Sequence, residues 1–306
     1  MRLAFVEKLT ELAEKDKNVW LLTGDLGFSV FENFIERFPD QYLNVGVSEQ
    51  NLMGIAAGMA MLGKRPFVYS ISTFATMRPY EQIRNDICYQ NLPVTIIGGG
   101  STFSYSTFGC THFPLEDVAI MRALPNIKVT VPGDPMEVRK LLDDIYKQSG
   151  PAYMRIAKKG EPIIHADFNN ISLGKISEIR SGSDAVVIVS GRQLPSAITA
   201  HEILSKEGLN LRVISCHTLK PIDELSVLKV IKESKVVVTC EEHSVIGGLG
   251  TIISEIIAKN GIKVPFKILG VPDEFPKGVG SQDYFLKRYN ITTEGIVETV
   301  HSLLNG

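Results

Sequence analysis

The residues best suited to chemistry lie in four stretches. The densest is Asn44-Val45-Gly46-Val47-Ser48-Glu49-Gln50-Asn51, set between a short strand and a helix through Gly54, Ala56, Ala57 and Gly58, whose small side chains permit close packing. Glu49 can simply complement the positive end of that helix, and Ser48 can cap it. The alternative is a buried carboxyl acting as acid or base, its proton held more tightly than in water; position alone leaves both open. The second stretch is Gly109-Cys110-Thr111-His112, preceded by GGGSTFSYSTF. A glycine-rich exit from a strand end is where α/β proteins bind ligands, but no GKS or GKT follows, so this is not a Walker loop. His112 and Cys110 suggest a thiol nucleophile or a metal ligand pair, yet no other His or Cys stands at ligand spacing. The third stretch runs from Ser72 to Gln82, where an aromatic at a strand end can pack in the core or stack on a planar ligand. The fourth, Glu241-Glu242-His243-Ser244-Val245-Ile246-Gly247-Gly248-Leu249-Gly250, has glycines before a helix that fit an anion site but suit a tight turn or a subunit contact better.

The elements that must position these residues come in two blocks, as expected for 306 residues at about 150 per domain. Short apolar runs at 19–23, 66–69, 94–97, 129–131 and 152–156 read as buried parallel strands, and 51–62, 80–89 and 135–148 carry helical period. Asp134-Pro135 offers an N-cap followed by Pro at the first helical position. The pattern breaks near Gly160. A second block then alternates strands at 185–189, 211–215, 235–239 and 266–269 with helices at 193–206, 225–233, 250–260 and 293–304. The reading is α/β: two doubly wound, mostly parallel sheets covered on both faces, with residues 1–165 as the first domain, 166–182 as linker and 183–306 as the second. The N-terminal segment reads as an amphipathic helix with Leu3, Val6, Leu9 and Leu12 on or near one face.

Composition excludes several classes. A net charge of −2 argues against a nucleic-acid binder. No apolar run is long enough to span a membrane, and the N-terminus lacks a signal peptide's unbroken apolar stretch. Four cysteines without a CxxC pair suit a reducing, cytoplasmic setting rather than a disulfide framework.

Together these stretches resemble the transketolase superfamily over essentially the whole chain. NVGVSEQNLMGIAAGMA is similar to its NVGI-x-EQN-x-x-GIAAG signature, STFATMRPYEQIRND to the strand and helix that follow, and GCTHFPLEDVAIMRALPNIKVTVPGDP to its G-x-THxxxEDxxxxRxxPN block. GPAYMRIAKKGEP and EEHSVIGGLG resemble the end of the pyrimidine-binding domain and the start of the last helices of the C-terminal domain. The two domains are then a pyrimidine-binding domain and a transketolase C-terminal domain. The family's diphosphate-binding domain, with its GDG motif, has no counterpart here, for Thr23-Gly24-Asp25-Leu26 resembles the ADL segment that opens the pyrimidine domain.

The resemblance implies thiamine diphosphate as cofactor, with Mg2+ held by a partner diphosphate-binding subunit in an α2β2 assembly. Glu49 falls on the carboxyl that hydrogen-bonds N1′ of the aminopyrimidine, the contact that readies the cofactor for carbon–carbon chemistry. Phe74 is the candidate for stacking on that ring, with Tyr80 as a second. His112 falls on the histidine that contacts substrate oxygens. Arg2, Ser29 and Lys158 fall on the family's sugar-phosphate site, although Lys158 stands where an Arg is usual and loses its bidentate fork. The implied activity is transfer of a two-carbon ketol unit from a ketose to an aldose by a split transketolase. Phe108 stands where the family has the Asp that reads acceptor stereochemistry, and glycines replace a further His. Deoxy, amino or nucleotide-linked sugars therefore join sugar phosphates as candidate substrates. The alternatives are a pyruvate-using subunit, like deoxyxylulose phosphate synthase or an E1 β subunit, and a non-catalytic scaffold.

Overall fold

The computed structural model describes residues 1–158 and 160–306, and Lys159 lies outside them. The first half runs α1 (Arg2–Lys15), β1 (Val19–Thr23), α2 (Glu32–Arg37), β2 (Tyr42–Asn44), α3 (Glu49–Met61), β3 (Arg65–Ile71), α4 (Ser72–Met77), α5 (Tyr80–Gln82), β4 (Thr95–Gly99), α6 (Asp117–Ala123), β5 (Lys128–Thr130), α7 (Pro135–Lys147) and β6 (Ala152–Ile156). The second half runs β7 (Ser177–Arg180), β8 (Ala185–Val189), α8 (Leu194–Lys206), β9 (Leu211–Ser215), β10 (Thr218–Lys220), α9 (Glu224–Lys232), β11 (Val236–Ser244), α10 (Leu249–Lys259), β12 (Phe266–Val271), α11 (Gln282–Arg288) and α12 (Thr293–Asn305).

Among the described residues two sheets form, ordered β10-β5-β6-β4-β3-β1-β2 and β12-β11-β8-β9-β7. Each is parallel except at one edge, where β10 pairs antiparallel with β5 and β7 antiparallel with β9. The two-sheet α/β reading therefore stands. The central strand of the second sheet is an unbroken apolar run because helices cover both faces. β8, Ala-Val-Val-Ile-Val, is buried at every position and registers Ala185 against Leu211 and Val236. The strand β7 lies inside the stretch read from sequence as linker, and β10, from the second block, completes the sheet of the first.

Helix geometry explains the other differences. Leu3 is 70% exposed, while Phe5, Leu9 and Leu12 are buried; Leu3 sits about 200° around the helix from Phe5, on the opposite face. The segment read as one helix over 80–89 is α5 followed by a wider π-type turn at Ile83–Cys88. On α3, Ala56 and Ala57 are buried as close packing requires, but Gly54 and Gly58 meet nothing within 4 Å. At α7 the Asp134 carboxylate accepts from the Glu137 amide at 2.8 Å, and Val138, Leu141, Leu142 and Ile145 are buried, each worth about 1.5–3 kcal/mol.

The blocks share a core. One apolar cluster joins Ile96, Val129 and Tyr153 of the first block to Val186, Ile188, Ile214 and Leu219 of the second. Polar groups join them too: the Asp134 carboxylate accepts from the amides of Ile164 and His165 at 2.8 and 2.9 Å, and Ser215 donates to Glu137 at 2.6 Å.

Candidate functional site

In a parallel sheet every strand leaves by the same edge, and there ligands gather. Ser29 follows β1, Glu49 follows β2, Phe74 and Arg78 follow β3, His112 follows β4 and Lys158 follows β6. Residues as far apart in sequence as Ser29 and Lys158 thus emerge on one rim. The loop before Glu49 is fastened by side-chain amides: Asn44 Oδ1 accepts from the Asp25 and Gly46 amides at 2.8 and 3.0 Å, and Asn44 Nδ2 donates to Asp25 at 3.2 Å.

Glu49 is the first residue of α3 and only 4% exposed. Ser48 sits at the N-cap position, yet its hydroxyl donates to the Val45 carbonyl at 3.1 Å instead of capping the helix. The Glu49 carboxylate is spoken for by Arg78, whose Nη1 donates to Oε1 at 3.0 Å and to Oε2 at 2.9 Å. The Arg78 guanidinium carbon lies 4.0 Å from the centre of the Phe74 ring. Ser48, Glu49, Gln50, Asn51 and Arg78 line an open cleft of about 440 Å³. Arg78 thus bridges a buried carboxylate at the opening to an aromatic face, the pair that a planar, nitrogen-bearing ring requires. Neither the Arg78 contact nor its place over Phe74 was visible in the motif, where Arg78 is one cation in a polar helix.

Phe74 also touches His112, with ring centres 5.0 Å apart and edge on. His112 stacks on Phe108 at 5.0 Å and lies 6.4 Å from Tyr105, and its Nδ1 pairs with the Thr111 hydroxyl at 3.0 Å. Burial first, and then the Arg78 charge, lower its pKa, so the ring is neutral near pH 7 and can donate or accept. Lys158 Nζ lies 4.7 Å over the Tyr105 ring. The charge of Arg2 acts on both the Tyr105 and Tyr69 hydroxyls. Lys158, Tyr105 and His112 therefore form one wall that reaches Phe74, with the charge of Arg2 close to Tyr105. Ser29 is on the same rim with left-handed φ of 61°, and its amide donates to Glu32. Tyr80 departs from expectation: its hydroxyl donates to the Ile120 carbonyl at 2.9 Å and its ring packs on the core, because that carbonyl in α6 needs a partner. Below the wall, Asp117 accepts from Arg155 at 2.9 Å and from Tyr153, tying α6 to β6.

The glycine-rich stretches have steric reasons. A Cβ on Gly100, at φ 99°, would strike the Tyr105 ring at 2.5 Å, so glycine there lets the ring lie against the backbone. The anion at the α10 N-terminus is the chain's own Glu241, which accepts from the amides of Leu249 and Gly250 at 2.8 Å each. A Cβ on Gly248 would strike that carboxylate at 2.4 Å; this motif is structural. Burial first, then Glu116, raise the Cys110 pKa, opposite to what a thiolate nucleophile needs.

The fit of an aminopyrimidine is supported by the occupant already there. A flat cation over Phe74 that donates to Glu49 has the shape and polarity of that ring protonated at N1′. Among the described residues, no group of three or more His, Cys, Asp or Glu is arranged to hold a metal ion, and no helix is long and apolar enough to cross a membrane.

Residues 1–161 match the family described as transketolase, pyrimidine binding domain, and residues 174–296 match transketolase, C-terminal domain. The chain is 37% identical over 304 residues to a putative transketolase C-terminal section of Methanocaldococcus jannaschii, covering 98% of this chain and 95% of that one. It is 34% identical to a 6-deoxy-6-sulfo-D-fructose transketolase subunit of Clostridium sp. MSTE9, covering 99% and 94%. A solved split-gene transketolase, an inactive β4 tetramer, superposes with a TM-score of 0.92 at 33% identity, covering 99% of this chain and 98% of that one.

Proposed function

The chain belongs to the transketolase family, and on that premise we propose that it is the pyrimidine-domain subunit of a split, thiamine-diphosphate-dependent transketolase. The observation that carries this reading is Glu49, buried at the start of α3 with its carboxylate turned to the open cleft beside Phe74. Glu49 would hold the aminopyrimidine edge and keep a proton at its ring nitrogen, and Phe74 would seat the ring face. When bound, the cofactor supplies a carbon nucleophile able to take a two-carbon unit from a ketose. A partner subunit would bring Mg2+ and the diphosphate contacts, and α2β2 is the expected assembly. The solved split-gene relative is an inactive β4 tetramer, which fits a chain that needs such a partner.

The wall beside the cleft sets the substrate class. His112, neutral near pH 7, would bind the oxygens at the reacting end of the sugar. Arg2 and Lys158 would draw an anionic terminus, a phosphate or a comparable acid group, and Ser29 would contribute a hydroxyl from the β1 rim. Phe108, stacked on His112 and 64% exposed, offers a face and no hydrogen bond, which favours an acceptor with a less hydroxylated edge. Ketol transfer in the cytoplasm is the resulting activity.

The test is calorimetric titration of thiamine diphosphate with Mg2+ into the chain, alone and then with a diphosphate-domain subunit. Binding only in the mixture is expected, followed by turnover of ketose phosphates and not of pyruvate. Tight binding to the chain alone would overturn the split site, and decarboxylation of pyruvate would overturn the ketol assignment.

A further inference from the structure

Arg78 has no part in the function proposed above, yet it holds the centre of the site. One nitrogen, Nη1, serves both Glu49 oxygens at 3.0 and 2.9 Å, and the guanidinium carbon stands 4.0 Å from the Phe74 ring centre. These are the two contacts that an aminopyrimidine would need. We infer that Arg78 is a built-in stand-in for the cofactor's ring: in the partner-free subunit its guanidinium occupies the seat on Phe74 and Glu49, and it must swing out before the cofactor can take that seat. The inference rests on the thiamine-site reading.

The physics runs in three steps. A carboxylate that is 4% exposed is costly without a partner, so an empty seat needs a substitute cation. A guanidinium is the natural one, being planar, weakly hydrated and able to lie on an aromatic face while donating from its edge. The substitute must also be removable. Arg78 is 48% exposed on its side chain, and it grips Glu49 through a single nitrogen and not through the stronger two-nitrogen fork. Its long stem can carry the charge into solvent without disturbing the core.

A stand-in taxes affinity. When only a fraction of molecules has the seat open, the apparent dissociation constant is the intrinsic one divided by that fraction. An exposed-side ion pair and a cation–π contact together set a factor of about tenfold. Arg78 is thus a determinant of cofactor loading, and it keeps the seat closed to other flat cations until a cofactor held by a second subunit competes it away.

The experiment uses the full chain, mixed with the diphosphate-domain subunit that completes the site, and titrates thiamine diphosphate with Mg2+ by calorimetry. Arg78→Met should bind about tenfold more tightly than the parent, and Arg78→Lys, which keeps charge but loses the flat face, should fall between. A second readout needs no ligand. In the free chain, thermal unfolding of Glu49→Gln, Arg78→Met and the double variant should be non-additive, because the pair exists before any cofactor arrives. Equal or weaker binding by Arg78→Met, with the parent binding normally, overturns the stand-in and leaves the site reading intact. Additive unfolding overturns it as well. Failure of both parent and variant to bind in the mixture overturns the thiamine-site reading, and the stand-in with it.

Discussion

Glutamine at position 49 would keep the shape and the cleft-facing hydrogen-bonding edge of Glu49 while losing the carboxyl group that would pass a proton to the ring nitrogen. Glu49→Gln should therefore lower turnover of the assembled enzyme by about a hundredfold or more. Its far-UV spectrum and unfolding midpoint should stay near those of the parent, since Arg78, the partner it loses, is half exposed. Near-normal turnover of this variant would remove Glu49 from the mechanism. At this scale the sequence was legible where a motif leaves a strand end: Glu49 follows β2, Phe74 follows β3 and His112 follows β4 on one rim, where their roles are those proposed above. It was not legible where the partner decides. Arg78 is an ordinary helical cation until β3 and α3 bring it to a buried carboxylate, and Tyr80, an aromatic in a site motif, is claimed by the Ile120 carbonyl. Leu3 looked like core only because spacing of three was counted without the full 100° step.

Among elements, α7 shows how much one polar side chain can carry. Asp134 caps the helix, accepts the amides of Ile164 and His165, and pairs with the His165 ring at 3.1 Å. Asp134→Ala should cost about 2–4 kcal/mol in chemical denaturation, a cap plus buried amides left without acceptors; a loss under about 0.5 kcal/mol would show that water replaces it. The Asp-Pro start was readable from sequence, because both residues act locally. The strands β8 and β9 were readable to the residue, β8 because a strand buried on both faces is a continuous apolar run and β9 because Leu211, Val213 and Ile214 stand out around Arg212. β7 and β10 were not. They are short edge strands, β7 with exposed Glu178 and Arg180 and β10 only three residues long, and their conformation comes from the neighbour they pair with, not from their own pattern.

Across the whole molecule, titratable groups sit where the two blocks meet. Burial raises the Glu137 pKa to about 7, against which the Gly133 amide, His165 and Ser215 pull it back. Burial alone would lower His165, but the Asp134 hydrogen bond and the Glu137 charge outweigh it and raise it. His217, close by, is lowered to about 4, burial being the main cause. The signs differ. A raised Glu137 favours the folded state below its unfolded value of 4.5 and loses that advantage as pH climbs to about 7. The His165 contribution is complete below 6.5 and is lost as pH rises through its folded pKa. The depressed His217 acts oppositely, costing stability as pH falls from 6.5 to about 4. Raw stability is therefore nearly level between these limits and falls above pH 6.5, and the clean observable is a difference. Relative to the parent, Glu137→Gln should gain about 3 kcal/mol between pH 4.5 and 7. Parallel curves for the two proteins across that range would show that Glu137 keeps its charge in the fold.

The strand β10 has one more consequence. It belongs by sequence to the second block and by hydrogen bonding to the first, with the Val131 amide donating to His217 beside it at 2.8 Å, while residues 166–170, between the blocks, are exposed. A protease that cuts there opens the backbone without releasing either half. Limited digestion should give two bands on a denaturing gel and one peak on a sizing column, whereas separate peaks would mean that the strand does not hold. A first half expressed by itself would begin life with β5 as a bare edge, the surface on which strangers' strands assemble. The chain is thus sewn, not hinged: its two folds are a single article of manufacture, and an engineer who trims it at the visible connector cuts the cloth and leaves the stitch.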